Sequence, residues 1–136
     1  MSTCEQDNQR NPLLDELAMA EKLSKINQII VVLSGKGGVG KSTVAVNLAL
    51  SFSLRGFRTG LMDVDIHGPS VPKLLNLTDK WPEVKGEDII PVEYQSDLLK
   101  VMSMGFLLQG TEQAVIWRGP LKYGMIKDFI GRVQWG

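Results

Sequence analysis

The sequence predicts an α/β domain, a doubly wound and mostly parallel sheet with flanking helices, and three observations predict it. The run QIIVVLS at 28–34 is continuously apolar, rich in β-branched residues and bounded by glycine, as a strand buried on both faces is. STVAVNLALSFSLRG follows it, with Val44, Leu48, Phe52 and Arg55 one helical turn apart. FRTGLMD at 57–63 then returns as a second strand. Residues 28–63 therefore read as one βαβ unit with a parallel crossover.

The elements follow in chain order. Residues 1–10, MSTCEQDNQR, read as a disordered leader, and 11–136 as the folded domain. Asn11 and Pro12 suit an N-cap and the first helical position. Leu13, Leu14, Leu17, Ala20, Leu23 and Ile26 then recur at mostly helical spacing, with charged residues on the other faces. Gly56 is placed to end the second helix. VDIHGPSVPKLL reads as a loop feeding a short helix, and 76–97 as a surface excursion with one short strand at DIIPV. LLKVMSM is a third strand. GPLKYGMIKDFIGRV is a helix starting at Pro120, with Leu121, Ile126, Phe129, Ile130 and Val133 as its apolar stripe. A doubly wound domain with so few strands is thin, because a parallel sheet needs cover on both faces. The reading is therefore of a domain that stops after its third or fourth strand, as part of a longer protein.

Composition excludes several classes. The 136 residues suffice for one compact domain and not two. Lys plus Arg and Asp plus Glu both number 15, so binding to nucleic acid through bulk positive charge is not expected. Apolar residues make up 43% of the chain, yet no stretch approaches the length of a membrane span and the start is not a signal peptide. The single cysteine, Cys4, forms neither a disulfide framework nor a metal site within one chain. A reduced, cytoplasmic setting is the simplest reading, with neither nucleic acid nor membrane as partner.

Gly35-Lys36-Gly37-Gly38-Val39-Gly40-Lys41-Ser42 satisfies G-x-x-x-x-G-K-[ST], the P-loop. Gly35, Gly37 and Gly40 also satisfy G-x-G-x-x-G, with Asp63 near the position of a ribose-binding acid. The chemistry favours the P-loop. Glycines let successive backbone N–H groups turn toward one anion, and the loop opens onto a helix N-terminus that favours phosphate. Lys41 offers a point charge to terminal phosphates and Ser42 a ligand for Mg²⁺. A dinucleotide site, which holds its pyrophosphate mainly by backbone, has no use for the Gly-Lys-Ser ending. Nucleoside triphosphate binding by residues 35–43, Thr43 included, is the expectation. Lys36 has no evident task at phosphates that Lys41 already serves.

Asp63 and Asp65 close the second strand, at the sheet edge where open α/β folds bind ligands. One carboxylate suits holding a metal-bound water and the other orienting an attacking water. The residues alone leave open which does which. His67 has no second histidine or cysteine nearby, so a metal site there is not expected. Arg118, ahead of Gly119-Pro120, reads equally as a phosphate contact or a surface ion pair. The three tryptophans read as packing anchors.

The form K-G-G-V-G-K-[ST] resembles the deviant Walker A ATPases. DIHGPSVPKLL, SMGFLL and VIWRGPLKYGMIKDFIGRVQWG narrow this, because together they resemble the Mrp-type iron–sulfur carriers from about residue 10 onward. The resemblance implies a P-loop NTPase that binds ATP·Mg²⁺ and acts as a homodimer, with Lys36 reaching the partner's nucleotide. It assigns Asp63 to a Mg²⁺-bound water and Asp65 to the attacking water, so that Lys36, Lys41 and Asp65 are catalytic and Ser42 and Asp63 serve the metal. It further implies iron–sulfur apo-proteins as recipients. The family's cysteine pair for the cluster does not occur in these 136 residues. Two other readings stand beside this one: an ATP-dependent positioning switch like MinD and ParA, and a nonenzymatic nucleotide-binding remnant. An oxidoreductase reading rests on the overlapping glycine fingerprint alone.

Overall fold

The computed structural model describes residues 11–65, 68, 70–108 and 123–136. The expected leader at 1–10, His67, and the Trp117-Arg118-Gly119-Pro120 segment lie outside the described residues.

Helix α1 spans Pro12–Ser24. Asn11 caps it, its Oδ1 accepting from the Leu13 N–H at 3.1 Å, and Pro12 takes the first turn as expected. No residue of α1 is buried, and Leu13, Leu14 and Leu17 stand exposed. The helical spacing of its leucines gives the right element but not a buried face.

Residues 28–34 correct the first expectation. They form no strand hydrogen bonds in the described structure, and Ile29, Ile30, Val31 and Leu33 are exposed. A strand exists only through a partner, and none of the described strands pairs with this run. The βαβ unit over 28–63 is therefore not closed by hydrogen bonds.

Helix α2, Lys41–Leu54, runs from the glycine loop and buries Val46 and Ala49. The stripe through Val44 and Leu48 faces outward instead, because the sheet lies against the opposite side. The helix ends as the sequence predicts. Gly56 takes φ +87°, its N–H reaches the Ser53 carbonyl, and the Phe57 N–H reaches that of Phe52. The Phe52 and Phe57 rings meet edge-on with centroids 6.3 Å apart. This is a Schellman ending with its hydrophobic contact.

Strand β1, Thr59–Asp63, leads through the short helix α3, Val71–Leu74, into an excursion richer than expected. Three short strands replace the single one: β2 at Glu83–Lys85, β3 at Asp88–Ile90 and β4 at Val92–Tyr94. Pro91, which lacks an N–H, separates β3 from β4. β3 pairs with β2 as an antiparallel ribbon, and β4 pairs with β5, Ser96–Ser103. The excursion is not purely superficial, since Ile89 and Val92 are buried.

The main sheet has the order β1-β5-β4, with β1 and β5 parallel and β4 antiparallel to β5. Strand β5 is central and covered on both faces, as the stretch LLKVM, apolar but for Lys100, leads one to expect. Leu99 and Val101 pack with Val46, Ala49, Leu61 and Val71 on one side. Met102 packs with Ile89, Met125, Phe129 and Val133 on the other. Helix α4, Met104–Leu108, follows β5 directly, and α5 spans Tyr123–Gly131. The buried stripe around α5 is Met125, Phe129 and Val133, whereas Ile126 is exposed; the spacing of four residues sets the face. The expected start of this helix at Pro120 lies outside the described residues.

The tail at 132–135 docks beside β3, where the Ile89 N–H donates to Arg132 and the Gln134 N–H donates to Ile89. Trp135 packs over Gly60: a Cβ there would lie 2.7 Å from the indole Cε3. Trp135 is thus a packing anchor as expected, with its indole N–H donated to the Phe129 carbonyl. Trp81 is exposed and anchors no core.

Candidate functional site

The alternation of side chains along two paired strands builds the site. Side chains alternate along a strand, so Asp63 shares a face with Leu61, and Ser103 shares one with Leu99 and Val101. Asp63 and Ser103 are register partners in the parallel β1–β5 pair. Both faces look toward α2, whose first turn carries Lys41 and Ser42. Strand ends and helix start therefore meet in one cavity of about 450 Å³, lined by Ser34, Lys41, Ser42, Asp63 and Asp65 among others.

The glycine loop enters α2 through Gly40 at φ +92°, preceded by Gly38 at +76°, conformations that a β-carbon disfavours. No side chain caps the α2 N-terminus, so its first N–H groups stand ready for an anion. Lys36 and Val39 are exposed, as is Thr43, while Lys41 and Ser42 are half-buried at the cavity. The Ser34 hydroxyl donates to the Lys36 carbonyl at 2.9 Å and pins the entry to the loop.

Lys41 Nζ lies 3.1 Å from Asp65 Oδ2, closing an ion pair across the cavity. Asp65 Oδ1 accepts from the Gly68 N–H at 3.3 Å. Asp63 is buried and its two oxygens are both engaged. Oδ1 accepts from the Asp65 N–H at 3.1 Å and Oδ2 from the Ser103 hydroxyl at 2.8 Å. Burial pushes the Asp63 carboxyl above its ordinary value, opposed by the hydrogen bonds from Ser103, Asp65 and Val71.

The structure thus brings together Lys41, Ser42, Asp63 and Asp65. Lys36 stands on the exposed loop outside this cluster. Sequence reasoning missed Ser103. The signal was present: a lone hydroxyl at the carboxyl end of an apolar strand, in the same position along its strand as Asp63.

The donor set fits Mg²⁺ held through water and phosphate rather than by a protein cage. No group of three or more His, Cys, Asp or Glu side chains that could hold a metal occurs among the described residues, and Ser42 supplies one hydroxyl beside the engaged Asp63 carboxylate.

The family model for ParA, described as NUBPL iron-transfer P-loop NTPase, matches residues 25–136. The chain belongs to this family. The ParA-family chain is 48% identical over 116 residues to the iron–sulfur cluster carrier protein of Methanocaldococcus jannaschii, covering 85% of this chain and 40% of that one. It is 46% identical over 123 residues to the cytosolic Fe-S cluster assembly factor CFD1 of Kluyveromyces lactis, covering 88% and 44%. A Drosophila erecta protein named as a Nubp2 homolog is 52% identical over 114 residues, covering 83% and 44%. Among solved structures, the nucleotide-binding protein of Archaeoglobus fulgidus in complex with ADP superposes with a TM-score of 0.72 at 43% identity, covering 90% of this chain and 45% of that one. The P-loop NTPase fold is thereby established, a mixed α/β architecture with a parallel strand pair and flanking helices. This ParA-family chain spans less than half the length of these relatives. No described helix is long and apolar enough to cross a membrane.

Proposed function

We propose that this chain is the ATP-binding and ATP-hydrolysing part of a cytoplasmic iron–sulfur cluster carrier that works as a homodimer. The observation that carries the reading is the cavity in which Lys41, Ser42, Asp63 and Asp65 converge at an uncapped helix N-terminus. The likeness to named iron–sulfur carriers and to a fold neighbour bound to ADP supports it.

In this reading residues 35–43 wrap the phosphate chain with backbone N–H groups. Lys41 leaves Asp65 and turns to the terminal phosphates. Ser42 would supply a ligand for Mg²⁺, and Asp63 would hold a water bound to it. The ion, when bound, neutralises phosphate charge and fixes the leaving group. Asp65, released from Lys41, orients a water at the γ-phosphorus. The water oxygen bonds to phosphorus, the bond to the bridging oxygen breaks, and ADP, phosphate and a proton leave. Lys36 reaches the nucleotide of a second copy and stabilises the charge that develops there.

With one cysteine, these 136 residues do not hold the cluster. Their part is to couple nucleotide state to transfer toward iron–sulfur apo-proteins. The test is a pair of variants in the full chain. Lys41→Ala is expected to lose nucleotide binding, and Lys36→Ala to bind normally but lose hydrolysis. Full ATPase activity in both would sink the reading.

A further inference from the structure

We propose that Ser103 is the positioning residue for the nucleotide-bound cation, acting through Asp63. The inference deepens the reading of the site as an ATP·Mg²⁺ site and rests on it.

Ser103 is fully buried, and a buried hydroxyl without partners is costly. Its partners leave it one orientation. The Gly105 N–H donates to Ser103 Oγ at 3.0 Å, which fills an acceptor position on the hydroxyl. Its single proton goes to Asp63 Oδ2 at 2.8 Å. The in-register pairing of Asp63 with Ser103 on adjacent strands makes this contact a property of the sheet.

The contact continues. Asp63 Oδ1 accepts from the Asp65 N–H, and the Asp65 side chain meets Lys41. One hydroxyl on β5 thus fixes the rotamer of the first acid and, through it, the backbone that presents the second. Outer partners of this kind typically set ion affinity by tenfold or more, because a carboxylate free to rotate offers its oxygens in many directions. Packing alone does not call for a hydroxyl here, since Leu99 and Val101 on the same face are apolar.

The test is the Mg²⁺ dependence of binding a non-hydrolysable ATP analogue, measured by calorimetry in the full chain. Ser103→Ala is expected to raise the Mg²⁺ concentration for half-saturation about tenfold. Binding measured in chelator is expected to change less than about twofold. Ser103→Thr, which keeps the hydroxyl, is expected to restore the wild-type dependence. Ser103→Cys keeps the unbranched shape, slightly enlarged, while weakening the donor, and reads the same effect if the alanine variant folds poorly. A fall in melting temperature with unchanged Mg²⁺ dependence in the alanine and cysteine variants would overturn the proposal and leave the nucleotide site standing. Wild-type protein that binds the analogue without regard to Mg²⁺ would overturn both.

Discussion

Lys41 Nζ sits 3.1 Å from Asp65 Oδ2, so the P-loop lysine is held by the acid that follows β1. Both side chains are partly exposed, and a pair of this kind is worth about 0.2–1 kcal/mol. A phosphate chain entering the loop competes with Asp65 for the same ammonium.

Asp65→Asn is therefore expected to tighten Mg·ADP binding, by up to about fivefold on that scale, while slowing ATP hydrolysis. Calorimetry with Mg·ADP and a phosphate-release assay on the same preparation separate the two effects. Weaker ADP binding would show that Asp65 helps hold nucleotide rather than competing with it.

Asp63 predicts a pH dependence of the nucleotide-free protein. Burial raises its carboxyl above the ordinary value, so above that value the native state retains a proton that the unfolded chain has released. Stability contributed by this group is present at low pH and is lost as pH rises through the raised value. Asp63→Asn removes the charge that burial penalises. Melting curves of the two proteins without nucleotide or metal are expected to diverge from pH 4 toward neutrality, with the variant gaining relative to wild type. Parallel curves would show that the hydrogen bonds from Ser103, Asp65 and Val71 fully offset the burial.

Gly60 is predicted to resist any side chain. A Cβ would meet the Trp135 indole at 2.7 Å, and the ring is tied to Phe129 by its N–H. Gly60→Ala is expected to destabilise by about 1–3 kcal/mol through overpacking, read by denaturant unfolding. Trp135→Ala in the same chain should recover part of the loss, since it removes the obstruction.

The ending of α2 offers a local check. Gly56 holds φ +87°, a conformation that costs an ordinary L-residue about 1–2 kcal/mol. Gly56→Ala is expected to lower stability by about that amount without altering nucleotide affinity, since the turn lies at the far end of α2 from the glycine loop. A selective loss of affinity would show that the two ends of the helix are coupled.

Local chemistry made much of this protein legible from its residues. The Asn11-Pro12 cap, the glycine loop running into α2 and the Gly56 ending each depend on neighbours within a few positions. Their hydrogen bonds and steric limits are short-range, so the sequence by itself determined them. Pairing and facing were decided only in three dimensions. QIIVVLS has the composition of a buried strand, but a strand exists only by bonding to another, and among the described residues it bonds to none. Val46 and Ala49 rather than Val44 and Leu48 enter the core because the sheet lies on their side of α2. Ser103 becomes part of the site because β1 and β5, which bond side by side in parallel across 40 residues of chain, bring its hydroxyl to Asp63. Tertiary contact alone chose that partner, because nothing near either residue in sequence restricts which strand lies alongside.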